Sequence, residues 1–125
     1  MGKDIDAIII DDELDICILL TGMLRQIGFK TRYATTLKEG LTKLSNSSNM
    51  VLFLDNNLPD GSGLEALSDI KKDYPDIRVI MISAYDGDAE RRRAADNGAA
   101  DFIGKPLKRS LIVDSLKNIF PDFIN

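Results

Sequence analysis

The 125-residue chain has no histidine. That absence removes Ser-His and Cys-His nucleophile pairs, imidazole metal sites and any phosphohistidine of its own. A single cysteine, Cys17, allows no internal disulfide, and nothing asks for an oxidising compartment. No apolar run approaches membrane-spanning length, and no signal peptide is visible. The expectation is a cytoplasmic protein with no membrane attachment. Basic residues are outnumbered 16 to 20, and the net charge of −4 argues against a nucleic-acid-binding surface. Internal repeats, low-complexity tracts and interdomain linkers are also missing.

What is present fits one domain with a hydrophobic core. Apolar residues make up 44% of the chain and charged residues 29%. Strand and helix signals alternate strictly. "IDAIIID" (5–11) is a short apolar run, expected as a buried strand. Over residues 13–27, Ile16, Leu19, Leu20, Met23, Leu24 and Ile27 step by three and four, so one helical face is apolar. Cys17 falls between those positions and reads as packing filler. Gly28 closes the helix. "FKTRYA" is a weaker second strand. Thr36 and Glu39 form a capping box for a second helix carrying Leu37, Leu41 and Leu44. "MVLFLD" is the third strand. Ser62 and Glu65 cap a third helix with Leu64, Leu67 and Ile70. "IRVIMIS", a helix from about Asp88 to Asn97, "ADFIG" and a last helix with Leu111, Ile112, Leu116 and Ile119 complete the pattern.

Alternation of this kind implies a parallel sheet covered on both faces. Ligands bind such sheets beyond the carboxyl ends of the strands, where strand order reverses. Strand one ends in Asp11, Asp12 and Glu13, and strand three in Asp55. Strand four ends in Ser83, and strand five in Gly104, Lys105 and Pro106. Singly, each has a plain reading. Asp11 or Asp12 is a helix cap, Ser83 a loop hydroxyl, Lys105 a surface lysine, and the run Arg91, Arg92, Arg93 a solvated helix face. Jointly they differ. Crowded carboxylates repel one another, and a divalent cation relieves the repulsion. Hard oxygen ligands with open water positions suit Mg²⁺. A metal, an amine and a hydroxyl around Asp55 suggest phosphoryl transfer, with Asp55 as the accepting carboxylate.

The stretches "IIIDDELDI", "LFLDNNLPDGSGLE", "MISAYDG" and "DFIGKPL" resemble, in order and spacing, the signature stretches of the receiver domains of two-component response regulators. The resemblance is to a chemotaxis-regulator-like receiver. The resemblance covers about 5–120 of a single domain expected over 1–125. It implies a flavodoxin-like, doubly wound, five-stranded parallel sheet of order 2-1-3-4-5 with five helices. By position, Asp55 is similar to the phosphoacceptor, Asp12 to the direct metal ligand and Asp11 to the acid acting mainly through water. Asn57 offers its backbone carbonyl to the metal. The cofactor implied is Mg²⁺, with Mn²⁺ able to substitute. Ser83 matches the hydroxyl that binds a phosphoryl oxygen and moves on activation. Lys105 matches the phosphoryl-pairing lysine, and Pro106 the proline after a cis peptide. Phe102 matches the aromatic switch. Ala84, Tyr85 and Asn57 border the path to the phosphate, with the Tyr85 ring expected to shield it.

The implied partners are a histidine kinase or phosphotransfer protein and an effector domain or output protein. The latter would read the surface of the fourth helix, fifth strand and fifth helix. No turnover of an external substrate is expected. The fifth helix has few arginines, so the expectation is a monomer or a weak, phosphorylation-dependent dimer, with Arg91 to Arg93 and Asp101 as candidate contacts. Three rivals differ at named positions. A haloacid-dehalogenase-type phosphatase wants a second Asp where Asn57 stands. A flavin binder of this fold wants a hydroxyl- and glycine-rich loop where "DDELD" stands. A degenerate receiver, acting only as an interaction module, would lack a site residue.

Overall fold

The computed structural model describes residues 4–123. The outermost positions of the expected domain, 1–3 and 124–125, lie outside the described residues. Five strands form one parallel sheet: β1 (Asp6–Ile10), β2 (Lys30–Ala34), β3 (Met50–Asp55), β4 (Arg78–Ser83) and β5 (Asp101–Gly104). Their order is β2-β1-β3-β4-β5, with every neighbouring pair parallel. The helices are α1 (Leu14–Ile27), α2 (Leu37–Leu41), α3 (Gly63–Asp73), α4 (Asp88–Asp96) and α5 (Arg109–Ile119). The fold is therefore the expected α/β architecture.

Alternation along the strands sends side chains to opposite faces. Ile5, Ala7 and Ile9 pack with Val51 and Phe53 against Leu20 and Leu24 of α1 and Ile112 and Leu116 of α5. Ile8 and Ile10 pack with Leu52 and Leu54 against α2, α3 and Ala94 of α4. All six residues of β3 are buried, because helices cover it on both sides. Its last residue, Asp55, is thereby carried into the interior.

Three details depart from the periodicity. In α1 the buried residues are Cys17, Leu20 and Leu24, whereas Leu19 is exposed. Cys17 is thus core, its Sγ donating to the Asp11 carbonyl at 3.2 Å. The apolar surface of α1 extends into solvent through Leu14, Ile18 and Leu19. Second, α2 stops at Leu41, short of Leu44. The Thr42 hydroxyl donates to the Glu39 carbonyl at 2.6 Å and competes with continuation of the helix. Leu44 is nonetheless buried, just past the turn that follows. Third, an antiparallel ladder of Asn57–Leu58 with Gly61–Ser62 folds back the loop after β3. The capping serine and threonine act as expected: Thr36 Oγ1 accepts from Glu39 N at 3.1 Å and Ser62 Oγ from Glu65 N at 3.3 Å. The Glu39 carboxylate accepts from Thr35 N at 3.4 Å, one residue before the cap.

Candidate functional site

Strand order reverses beside β1, and the carboxyl ends of β1 and β3 lie next to each other there. Carboxylate oxygens of Asp11, Asp12 and Asp55 come within 4.8 Å of one another. Asp11 and Asp55 are buried, while Asp12 faces solvent. From the end of β5, Lys105 reaches across: its Nζ lies 2.8 Å from Glu13 Oε1, 3.0 Å from Asp11 Oδ2 and 3.4 Å from Asp55 Oδ1. The Lys105–Pro106 peptide is cis.

The backbone around Asp55 is fixed by short-range chemistry. Asn56 donates its N–H to the Ile82 carbonyl at 3.3 Å. Its Oδ1 accepts from Ser62 Oγ at 2.7 Å and from Leu64 N at 3.0 Å, which caps the first turn of α3. Gly63 donates to the Asn56 carbonyl at 2.8 Å. A Cβ on Gly63 would run into the Asp55 carbonyl, so only glycine allows α3 to start this close to β3. Asp60 reaches back to α2, accepting from Leu37 N at 2.8 Å and Lys38 N at 2.9 Å. Those two N–H groups hold the Asp60 carboxyl below its ordinary range.

Burial dominates the electrostatics of the pair inside. It pushes the Asp55 carboxyl up to about 6, and the neighbouring Asp11 charge adds to the rise; Lys105 opposes both. Burial raises Asp11 as well, against the Glu13 N–H that donates to its Oδ1 at 2.8 Å. Burial alone would lower Lys105, yet the carboxylates around it outweigh that and hold its ammonium above the ordinary lysine range. The Cys17 thiol is raised to about 11, chiefly by burial, and stays protonated. Asp11 Oδ2 is buried without a hydrogen bond, although Lys105 Nζ stands 3.0 Å away. The lysine attracts that oxygen electrostatically but is not aligned to bond it. A buried, under-coordinated carboxylate oxygen beside two further carboxylates fits a hard divalent cation.

The remaining sequence-selected residues are arranged around this cluster. Ser83 ends β4, fully buried, and its Oγ accepts from Tyr85 N at 3.0 Å. Lys105 N donates to the Ser83 carbonyl at 2.8 Å, joining the ends of β4 and β5. Ala84 and Asn57 are exposed, and Tyr85 is 65% exposed with its ring in solvent. Phe102 stands apart from the carboxylates, buried on the α4 face. Arg91 departs from the simple solvated-face reading of its run. Its guanidinium lies 5.1 Å from the Phe102 ring centroid, donates to the Phe102 carbonyl at 3.0 Å and bonds the Asp86 carbonyl at 3.0 Å. Sequence reasoning missed Arg91, Asn56 and Asp60 as positioning groups. In the sequence nothing distinguishes these side chains from solvated loop and helix residues; their partners lie on other segments.

Comparison with known proteins agrees with this geometry. Residues 7–117 match the response regulator receiver domain family. The chain is similar to the response regulator protein PilR of Pseudomonas aeruginosa, 36% identical over 89% of this chain and 26% of that one. It is 28% identical to the chemotaxis protein CheY of Thermotoga maritima, over 95% of this chain and 98% of that one. Among solved structures, a CheY-like receiver domain protein from Methanospirillum hungatei superposes with a TM-score of 0.87 at 26% identity, covering 97% of both chains. The chain spans between 24% and 63% of the length of other curated relatives it matches. No described helix is long and apolar enough to cross a membrane. A match over most of the chain, to a family whose fold recurs here, places this protein among the response regulator receiver domains of two-component signalling.

Proposed function

We propose that Asp55 accepts a phosphoryl group from the phosphohistidine of a partner kinase or phosphotransfer protein, and that Mg²⁺ assists. The observation that carries this reading is the convergence of Asp11, Asp12 and Asp55 with Lys105 at the carboxyl end of the sheet. Asp11 and Asp12 would hold the cation, with Asp55 and the Asn57 carbonyl completing the protein's share of ligands. When bound, Mg²⁺ supplies charge neutralisation for the transferring phosphoryl oxygens. Asp55 attacks phosphorus, the phosphorus–nitrogen bond to the donor imidazole breaks, and its electron pair stays on the imidazole. Lys105 supplies a fixed positive charge to the incoming group. Ser83 exchanges its Tyr85 N–H contact for a phosphoryl oxygen, and the space it leaves lets the Phe102 environment repack. That repacking alters the face of α4, β5 and α5, which an effector domain or output protein reads.

The domain acts as a switch with no external substrate of its own. Incubated with acetyl phosphate and Mg²⁺, the protein gains one phosphoryl group on Asp55, acid-stable and base-labile, and Asp55→Asn gains none. A phosphate mapped to Ser83 by mass spectrometry overturns the assignment. Asp12→Ala loses Mg²⁺ binding in a calorimetric titration; unchanged binding sinks the metal site. In solution the unphosphorylated domain sediments as a monomer.

A further inference from the structure

The Lys105 ammonium has three protons, and three carboxylates surround it. Glu13 Oε1 takes the shortest contact, 2.8 Å, and is the only one of the three aligned as a hydrogen bond. The two buried acids receive less: Asp11 Oδ2 has no hydrogen bond, and Asp55 Oδ1 is 3.4 Å away. Lys105 therefore leans toward the one acid of the three that the acceptor reading does not use.

A second observation sets Glu13 apart. It is the N-cap residue of α1, with extended backbone (φ −85°, ψ 106°), and makes no side-chain cap bond. Serine, aspartate or asparagine at that position would accept from the first-turn N–H groups. The longer glutamate forgoes the cap and spends its carboxylate on a lysine 92 residues away. Its side chain is also 60% exposed, whereas Asp11 is fully buried. Asp11 cannot leave Lys105, but Glu13 can swing into water at small cost.

From these contacts we infer that Glu13 is a positioning residue, the resting partner of Lys105, which draws the ammonium from Asp55 until a phosphoryl group displaces it. The inference rests on the phosphoacceptor reading above. It assigns Glu13 a braking role: the phosphoryl oxygens must compete with an intramolecular carboxylate for the same proton donor.

Two variants test it. Glu13→Gln removes the charge. Glu13→Asp keeps the charge, is one methylene too short to reach Lys105, and is suited to cap α1. Both are expected to take phosphate from acetyl phosphate about two- to fivefold faster than wild type, the range set by an exposed ion pair. In metal-free protein, the Lys105 ammonium resonance in a ¹⁵N-edited spectrum should be sharp in wild type and broadened by water exchange in both variants. Glu13→Asp reacting at the wild-type rate would reduce the effect to charge repulsion of the donor and overturn the contact. So would an unchanged or slower Glu13→Gln, or an ammonium signal that persists in the variants. A wild-type chain that takes no phosphate on Asp55 fails the acceptor reading instead. The ammonium measurement, which needs neither metal nor phosphate, still decides the Lys105 contact.

Discussion

The two ends of the sheet are built on opposite terms. At the amino-terminal end, beneath α1, Phe29 meets Phe120 edge-on at 6.1 Å and Phe123 at 4.9 Å, and Phe123 packs beside Gly28. Gly28 takes φ 112°, the left-handed turn that brings the chain from α1 into β2. That end is apolar, and its contacts are of the kind that stabilise a fold. At the carboxyl end, two buried aspartates and a lysine sit where apolar side chains would pack with less conflict. Desolvation raises both acids, so the site is held together against its own electrostatics. One end supplies stability, and the other stores unmet interactions that the cation and phosphoryl group of the proposed function would satisfy.

Exchanging the properties of the two ends sharpens this contrast. The largest effect is expected from Asp55→Asn. It abolishes phosphorylation completely while raising the stability of metal-free protein at pH 7 by about 1–3 kcal/mol, because the buried charge is gone. Urea unfolding reads the stability change; a destabilised variant would break the comparison. Phe29→Ala should do the reverse. It costs about 3–5 kcal/mol of stability and leaves the rate of phosphorylation at Asp55 unchanged well below the melting temperature. A slowed phosphorylation there would mean that the ends are coupled.

The third effect depends on pH. Asp55 ionises near 3.8 when unfolded and near 6 in the folded, metal-free protein. Between those values the folded state binds more protons. The contribution of Asp55 to stability is therefore full below about pH 4 and is lost as pH rises through about 6. Buried Asp11, also raised, acts in the same direction. The stability difference between Asp55→Asn and wild type should thus grow from pH 4 to pH 7 in unfolding curves recorded without metal, and a constant difference would contradict the burial assignment.

The smallest effect concerns Tyr85. Its ring is largely in solvent before phosphorylation, so any shielding of the phosphate must form afterwards. Tyr85→Ala is expected to speed loss of phosphate about threefold, equivalent to about 0.6 kcal/mol of barrier. The decay of purified phosphoprotein in Mg²⁺ without kinase measures it, and an equal or slower decay removes the shielding role.

The sheet and the carboxylate site were legible because strand ends announce themselves. β3 is an unbroken apolar run that stops at Asp55, and β1 stops at Asp11. Helix faces were read less well. On α1, Leu19 fits the three-and-four spacing as well as Cys17 does. The way α1 seats on the sheet, which the spacing does not specify, puts Cys17 inside and Leu19 outside. Long-range polar contacts were the least legible. Lys105 with Glu13, and Asp60 with Leu37 and Lys38, join residues with no periodic relation. Arg91 sits in a run of three arginines with nothing local to mark it as the one that holds Phe102 and Asp86.

Asp60 has a mechanical meaning beyond its hydrogen bonds. The loop after β3 is tied to α2 by Asp60 and to α3 by Asn56 and Gly63, so Asp55 stands against a braced wall. Across from it, the segment Ala84–Gly87 is exposed and is held chiefly by Arg91 and one contact to Ser83. If Asp55 is the acceptor proposed above, the added phosphoryl volume would meet stiffness on one side and compliance on the other. It would be taken up on the β4–α4 side, so that the direction of the signal would follow from which wall was left unbraced.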